Sequence, residues 1–206
     1  MTNGAATVFI VDDDASVRKA LARLIQSVGL KTQTFASAQE LLDQAPPAGP
    51  GCIILDVRMP GLNGLELQAE LTGRNIRTPI IFITGHGDIQ MSVRAMKGGA
   101  MDFLIKPFND KDLLGAIKTA IEKDEYFKAA QTEHSEIQRR HQTLTPRERE
   151  VLRLVVKGRM NKEIAAELGA AEKTVKVHRA RVMQKMQVES VAELVRAAER
   201  VESLDR

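Results

Sequence analysis

A chain of 206 residues has room for two small domains, since domains most often contain roughly 100–150 residues. Hydrophobic residues make up 43% of the chain and charged residues 28%, which allows a folded core and argues against residence in a membrane. No apolar stretch approaches the roughly 20 residues of a spanning helix, and the amino terminus lacks a signal-peptide pattern. The single cysteine, Cys52, cannot form an internal disulfide. We therefore predict a cytoplasmic protein.

The positive charge of the chain is concentrated towards its carboxyl end. The net charge is +3, from 30 Lys and Arg against 27 Asp and Glu. Residues 1–120 carry 12 of each sign and residues 121–142 carry 4 against 5, whereas residues 143–206 carry 14 basic against 10 acidic residues. This asymmetry is a modest indication that the last third contacts nucleic acid.

Strand and helix patterns alternate through the first half of the chain. Short apolar runs ending at polar, Gly or Pro residues predict strands, and apolar residues at helical spacing predict helices. The predicted strands are Thr7–Val11, Lys31–Phe35, Cys52–Leu55, Ile80–Ile83 and Ala100–Ile105. The predicted helices are Val17–Val28, Ala38–Gln44, Leu65–Leu71, Met91–Met96 and one from about Asp110, with a Pro/Gly-rich loop at 46–51. Successive β–α units predict an α/β fold, a (βα)5 doubly wound parallel sheet with helices on both faces.

The segment that follows has no Gly and no Pro from Ala116 to Gln142, and its apolar stripe thins beyond Phe127. Two interpretations stay open. One is a long, mostly solvated helical linker that could pair with a second copy of the chain, and the other is a partly frayed connector.

After Thr143 the pattern is purely helical. Thr145 to Glu148 form a capping box with Pro146 at the first helical position, and Lys157-Gly158 closes that helix. We predict that Asn161 caps a second helix, which ends at Gly169. A turn at 170–172 leads to a third helix through Val175 and Met186, and a fourth runs from about Ser190 to Val201. Two short helices joined by a Gly-containing turn predict a helix-turn-helix within an all-α four-helix domain.

Polar residues follow four of the predicted strands. Asp12 and Asp13 follow the first, Asp56 ends the third, and Thr84 and Lys106 end the fourth and fifth. Because parallel strands place their carboxyl ends at one edge, these residues should meet there. Clustered carboxylates repel unless a cation bridges them, and oxygen ligands suit Mg²⁺. A carboxylate flanked by Mg²⁺ and a lysine can accept a phosphoryl group, and we assign that role to Asp56.

Each of these residues also has a simpler interpretation. Lone acids at strand ends are usually helix N-caps, and for Asp12 or Asp14 alone that interpretation prevails. A Lys-Pro pair alone is a turn, and a Thr alone is a strand residue. The joint occurrence of these residues at four strand ends favours a site, and we interpret His86 as a loop residue.

Residues 7–120 closely resemble the receiver domain of bacterial response regulators. The segments that carry the resemblance are Val11–Asp14, Leu55–Gly64, Ile83–Gly85 and Asp102–Phe108. The resemblance implies that Asp56 is the phospho-acceptor. It implies that Asp13 and Asp56 ligate Mg²⁺ directly together with the backbone carbonyl of Arg58, and that Asp12 acts largely through water.

The same resemblance implies roles on the other side of the site. Thr84 and Lys106 would bind the phosphoryl group. Phe103 would be the aromatic residue that moves inward when Thr84 moves. The Lys106-Pro107 peptide would be cis, which proline makes possible at low cost.

A basic run occupies the third helix of the carboxyl-terminal part. Lys173, Lys176, Arg179, Arg181 and Lys185 lie within thirteen residues that contain no acid, and His178 lies among them. A charge run is often only a solvated helix face. This run lies on the second helix of a helix-turn-helix, which is the helix that enters the major groove, and there basic residues contact phosphates and guanine edges.

Residues 143–201 resemble the LuxR-type DNA-binding domain, through Leu144–Glu148, Gly158, Asn161–Ala165 and Thr174–His178. The resemblance implies base contacts by Lys176 and Val177. Some members carry a basic residue where this chain has Ala180, and Arg179 or Arg181 could substitute for it. The expected DNA-binding residues are Lys173, Thr174, Lys176, Val177, Arg179 and Arg181.

The order of the parts resembles the NarL/FixJ regulators, and most of all their FixJ branch. We expect a receiver domain at 1–121, a helical linker at 122–142 and a LuxR-type domain at 143–206. The resemblance implies a transcription regulator, not an enzyme, that a cognate sensor histidine kinase phosphorylates on Asp56. The phosphorylated chain would form a homodimer, bind double-stranded promoter DNA and contact RNA polymerase.

Two other classes of protein are alternatives to this one. A small Mg²⁺-dependent phosphohydrolase would need a second acid two residues after Asp56 to protonate the leaving group, and that position is Arg58. A protein-interaction module without a DNA role is the other class. A gel shift with the upstream region of the gene at stated salt separates it from a transcription regulator.

Overall fold

The structure is a computed structural model that describes residues 6–44, 49–85 and 89–202, with only the backbone of residue 202. The chain divides into two compact units, Met1–Lys128 and Ala129–Arg206. The predicted loop residues 46–48 and His86 lie outside the described residues. None of the described helices combines the length and apolar character needed to span a bilayer.

The first unit alternates strands and helices, as the sequence predicts. Its strands are β1 (Thr7–Val11), β2 (Lys31–Phe35), β3 (Gly51–Asp56), β4 (Ile80–Thr84) and β5 (Asp102–Ile105). Its helices are α1 (Ala15–Ser27), α2 (Ala38–Gln44), α3 (Gly64–Gly73) and α4 (Ile89–Lys97), and α5 (Asp110–Gln142) begins in this unit. The division between the two units falls within α5.

All five strands are parallel and lie in the order β2-β1-β3-β4-β5. The order reverses between β1 and β3, so their carboxyl ends flank the crevice where ligands bind in open α/β sheets. The register pairs Val11 with Leu55 and Asp56 with Ile83, which brings the ends of β1, β3 and β4 level at that crevice. The predicted doubly wound fold is confirmed.

Hydrophobic residues cover both faces of this sheet. Alternate strand residues such as Phe9 and Val11 pack with α2 and α3, while Val8 and Ile10 pack with α1 and α5. Every residue of β3 is buried, which is typical of a central parallel strand. The rigid centre of the sheet therefore ends at Asp56.

The amino end of β3 is attached to α5 by a buried carboxylate. The Asp124 carboxylate accepts a hydrogen bond from the Gly51 N–H at 2.8 Å and forms an ion pair with Lys128 at 2.7 Å. Lys128 also donates to the carbonyl of Gly49 at 2.6 Å. The helical pattern predicted for 122–142 is continuous in the structure, since α5 extends to Gln142.

The second unit is helical after α5. Its helices are α6 (Pro146–Val156), α7 (Asn161–Glu167), α8 (Glu172–Met186) and α9 (Val191–Glu202). They enclose one hydrophobic cluster, and α8 contributes Val175, Val182 and Met186 to it. The predicted capping box of α6 is present, with Thr145 and Glu148 each bonded to the backbone of the other.

Several sequence-based boundaries were wrong by one or two residues. The N-cap of α7 is Met160 rather than Asn161, because the Glu163 carboxylate accepts from the Met160 N–H at 2.7 Å. Glu172 belongs to α8 instead of the turn before it. Strand β5 begins at Asp102, since Ala100 is still bonded to the end of α4, with its N–H 3.1 Å from the Ala95 carbonyl.

Candidate functional site

Three acids meet at the carboxyl edge of the sheet, where the sequence places them. Asp12 and Asp13 follow β1 and Asp56 ends β3, and one carboxylate oxygen from each lies within 4.8 Å of the others. Asp12 and Asp56 are buried, with 1% and 8% of their surface exposed, whereas Asp13 is exposed. An all-oxygen donor set with one open side fits Mg²⁺, which retains several waters when bound.

Lys106 reaches the same cluster from the end of β5. Its Nζ lies 2.8 Å from Asp12 Oδ2 and 3.6 Å from Asp56 Oδ2. The Lys106-Pro107 peptide is cis, as the resemblance implies. One lysine balances only part of the charge of three carboxylates, so the cluster keeps a negative excess that favours a bound cation.

The environment of Asp56 makes its charged form costly. Burial raises the pKa of this carboxyl, and the neighbouring Asp12 and Asp13 add to that effect. Lys106 and the Arg58 N–H, 3.2 Å from Asp56 Oδ1, act in the opposite direction without cancelling it. A buried carboxylate at the mouth of a crevice is suited to nucleophilic attack once a cation screens its neighbours.

Thr84 lies on β4, which is next to β3, and Phe103 lies on β5, the edge strand beside β4. Thr84 is fully buried at the end of β4, and its carbonyl accepts from the Lys106 N–H at 2.8 Å. Phe103 is partly buried, with its ring centroid 6.3 Å from that of Phe82. Thr84 therefore lies one strand away from Asp56, whereas Phe103 lies two strands away and packs near Phe82 on β4.

The loop after Asp56 is fixed by the start of α3. The Gly64 N–H donates to the Val57 carbonyl at 3.0 Å, and Asn63 and Glu66 form a capping box. A Cβ on Gly64 would lie only 2.4 Å from the Asp56 carbonyl, so this close approach requires glycine. Arg58 lies in this loop with its side chain exposed.

Arg18 is a contact of the site that sequence reasoning missed. Its Nη1 donates to the backbone carbonyls of Asp12 at 2.6 Å and Asp13 at 2.9 Å. Asp14 caps α1 by accepting from the Ser16 N–H at 2.7 Å. A basic residue four positions after an N-cap was the available signal, since it lies on the turn that faces the loop.

The basic helix α8 presents one face to solvent. Lys173, Thr174, Lys176 and Arg181 are exposed, and Val177 keeps 45% of its surface exposed although it is apolar. Val175, Val182 and Met186 are buried against α6 and α7, as predicted, and Met183 is partly buried. The exposed face has the charge and the small apolar contact that major-groove recognition uses.

Three basic residues of α8 bond to other residues of the same unit. Arg179 Nη1 donates to Asn161 Oδ1 on α7 at 3.1 Å, so it is only partly exposed. Lys185 bonds to Glu148 at 2.7 Å and to the Thr143 carbonyl at 3.0 Å. Lys176 forms an exposed pair with Glu172 at 3.2 Å. Lys185 is therefore a packing residue, and Arg179 joins the two helices of the helix-turn-helix.

Two family models match the chain, and together they cover most of it. Residues 8–118 match the response regulator receiver domain, and residues 142–198 match the bacterial regulatory proteins of the luxR family.

Proteins of known class are similar along nearly the whole chain. Nodulation protein W of Bradyrhizobium diazoefficiens is 53% identical over 94% of this chain and 86% of its own length. Response regulator protein TmoT of Ectopseudomonas mendocina is 46% identical over 98% and 91%. Transcriptional regulatory protein FixJ of Azorhizobium caulinodans is 44% identical over 93% and 90%.

Solved structures of response regulators are also similar to this chain. The structure of response regulator StyR has a TM-score of 0.89 at 47% identity and covers 95% of this chain and 99% of its own. Full-length FixJ from B. japonicum has a TM-score of 0.59 at 41% identity, over 98% and 100%. Fold and site together define a response regulator with a receiver domain and a LuxR-type DNA-binding domain. The chain belongs to the NarL/FixJ family of two-component transcription regulators, as the FixJ-type relatives indicate.

Proposed function

We propose that this response regulator is switched by phosphorylation of Asp56. A phosphohistidine on a cognate sensor histidine kinase is the donor, and its P–N bond breaks as a carboxylate oxygen of Asp56 bonds to phosphorus. The observation that carries this proposal is the meeting of Asp12, Asp13, Asp56 and Lys106 at the mouth of the sheet crevice. A phosphohydrolase would need an acid two residues after Asp56, and the presence of Arg58 there argues against that alternative and favours an acyl phosphate that serves as a signal.

Mg²⁺ is the proposed cofactor of the transfer. Asp13, Asp56 and the Arg58 carbonyl would hold it, with Asp12 acting through water. Bound Mg²⁺ would supply charge neutralisation for the incoming phosphoryl oxygens. The residues of the chain do the rest, since Asp12 holds Lys106 at the edge of the site and the buried wall beside Asp56 limits access by water.

The response to phosphorylation is assigned to the β4–β5 edge. The new dianionic group attracts Lys106 away from its pair with Asp12 and accepts a hydrogen bond from the Thr84 hydroxyl. Phe103, which is only partly buried against Phe82, follows by moving inward. Such a step converts a local charge change into a change in the surface formed by α4 and β5.

The apolar character of that surface supports homodimerisation on phosphorylation. Ile89 exposes 83% of its surface, and Val93, Met96 and Ile105 expose 44%, 48% and 53%. Large apolar residues grouped on one surface are typical of interaction sites. We assign this surface, formed by α4 and β5, to a second copy of the chain.

The dimer is proposed to bind double-stranded promoter DNA through two copies of α8. Paired recognition helices contact paired half-sites, which increases both affinity and specificity. The contacts are assigned to Lys173, Thr174, Lys176, Val177, Arg179 and Arg181. We also propose that the protein is cytoplasmic and contacts RNA polymerase. The proposed domain boundaries are 1–121 for the receiver domain, 122–142 for the helical linker and 143–206 for the LuxR-type domain.

The proposal is tested by incubating the full chain with acetyl phosphate and Mg²⁺ and measuring its mass by intact-protein mass spectrometry and light scattering. Wild type should gain one phosphoryl group and shift towards a dimer, and Asp56→Asn should do neither. Labelling of Asp56→Asn equal to that of wild type, or a labelled chain that stays monomeric, would contradict the assignment.

A further inference from the structure

The loop between β1 and α1 carries two of the three clustered acids, and Arg18 is the side chain that holds its backbone. Arg18 lies in the first turn of α1 and is partly buried. Its Nη1 donates to the carbonyl of Asp12 at 2.6 Å and to that of Asp13 at 2.9 Å. One nitrogen atom therefore restrains two consecutive peptide groups, and these peptide groups set the directions of both side chains.

Asp12 and Asp13 differ in how much else holds them. The Asp12 carboxylate accepts hydrogen bonds from Lys106 Nζ at 2.8 Å and from the Asp14 N–H at 2.9 Å, and these two bonds fix its position. The Asp13 carboxylate is exposed and makes no hydrogen bond or ion pair with any residue in the described part of the chain. Its direction depends on its backbone, and Arg18 is the side chain that bonds to that backbone.

The bonds from Arg18 end on carbonyl oxygens and not on carboxylates. They fix the loop while leaving the carboxylate oxygens of Asp13 available to a cation. The guanidinium has no acceptor atoms, so it cannot take the place of an oxygen ligand of the cation. Lys106 differs from Arg18, because it pairs with the carboxylates of Asp12 and Asp56 themselves.

We propose that Arg18 is a positioning residue for Mg²⁺ at the acid cluster, and this inference rests on the phosphoryl transfer proposed above. Residues that orient metal ligands typically contribute about 10- to 100-fold in metal affinity. Arg18→Met should therefore weaken Mg²⁺ binding about tenfold. Arg18→Lys keeps the charge and a donor, so it should recover part of the loss.

Isothermal titration calorimetry with Mg²⁺ on the full chain measures this effect directly. Arg23→Met is the matched control, since Arg23 is an exposed residue of the same helix and should bind Mg²⁺ like wild type. Labelling by acetyl phosphate over a Mg²⁺ series gives a second readout. Arg18→Met should need about tenfold more Mg²⁺ for half-maximal rate and should reach the wild-type rate at saturation.

Three results would overturn the assignment. The first is an unchanged Mg²⁺ affinity in Arg18→Met. The second is a rate that stays low at saturating Mg²⁺, which would place Arg18 in the transfer step. The third is a loss seen only with a phosphohistidine donor, which would place Arg18 on the surface that docks the kinase.

The experiments distinguish a failure of the phosphorylation proposal from a failure of the proposed role of Arg18. If wild type binds Mg²⁺ but is never labelled, the phosphorylation proposal fails while the calorimetry still decides the role of Arg18. Circular dichroism establishes that each variant is folded. If Arg18→Met does not fold, the same Mg²⁺ titration is made with Arg18→Gln, which keeps one hydrogen-bond donor group.

Discussion

Removing the Glu148 carboxylate should destabilise the DNA-binding unit, because this group joins a helix cap to an ion pair. Glu148 is 2% exposed and accepts from the Thr145 N–H at 2.9 Å and from Lys185 Nζ at 2.7 Å. Lys185 lies on α8, so the pair connects that helix to the first turn of α6. The pKa of Glu148 is lowered from 4.5 to about 2, since burial, which raises it, is outweighed by the bonds from Lys185 and Thr145.

The size of the effect follows from that pKa. Lowering it from 4.5 to about 2 corresponds to about 3 kcal/mol of free energy of unfolding. The side chain of Lys185 is 34% exposed, so solvent screens the pair. We therefore expect Glu148→Gln to lose about 2 kcal/mol near neutral pH. Because the folded pKa is depressed, this contribution is fully present above about 4.5 and disappears as pH falls towards about 2.

Amide hydrogen exchange in α6 and α8 measures the opening of this unit alone. Glu150→Gln is the matched control on the same helix, since Glu150 pairs with Arg147 at 2.8 Å with side chains 42% and 36% exposed, far more than that of Glu148. It should change the opening free energy by less than about 0.5 kcal/mol. Equal losses in the two variants would refute the reasoning, as would a Glu148→Gln deficit that does not shrink on acidification.

Three further predictions concern other parts of the chain. Asp124→Ala leaves the buried N–H of Gly51 without its acceptor, so urea titrations should show that the free energy of unfolding of the receiver unit falls by about 2 kcal/mol. An unchanged unfolding midpoint would mean that the bond between Asp124 and Gly51 does not stabilise this unit. Gly64→Ala forces a Cβ to within 2.4 Å of the Asp56 carbonyl, so phosphorylation should slow while the chain stays folded, and a wild-type labelling rate would show that the loop adapts freely. Lys176→Ala should weaken DNA binding and reduce the slope of log affinity against log salt by about one; a gel-shift series with an unchanged slope would mean that Lys176 does not contact phosphate.

The site was predictable where it depends on the alternation of strands and helices. Parallel strands place their ends at one edge, so Asp12, Asp56 and Lys106 could be grouped before any distance was known. The strand order puts β1 beside β3, so the acids that follow β1 lie next to Asp56. Their roles in phosphoryl transfer stay predictions.

Contacts made by long side chains were not predictable. The Arg18 bonds depend on where a guanidinium ends after several rotatable bonds, and hydrophobic spacing carries no such information. Asn161 was assigned as a cap because it is a common capping residue. In the structure its carboxamide accepts from Arg179, 18 positions later, while Glu163 bonds to the Met160 N–H. In both cases the direction taken by a long side chain decided the outcome, and the residue type alone did not give it.

The central claim is that the state of Asp56 controls DNA binding, and a gel shift at one fixed salt concentration tests it most directly. The DNA is the region upstream of the gene, and the proteins are wild type and Asp56→Asn, each with and without acetyl phosphate and Mg²⁺. The account predicts that acetyl phosphate tightens binding by wild type and leaves Asp56→Asn unchanged. Equal affinity of wild type in both states, or equal tightening of the two proteins, would contradict it.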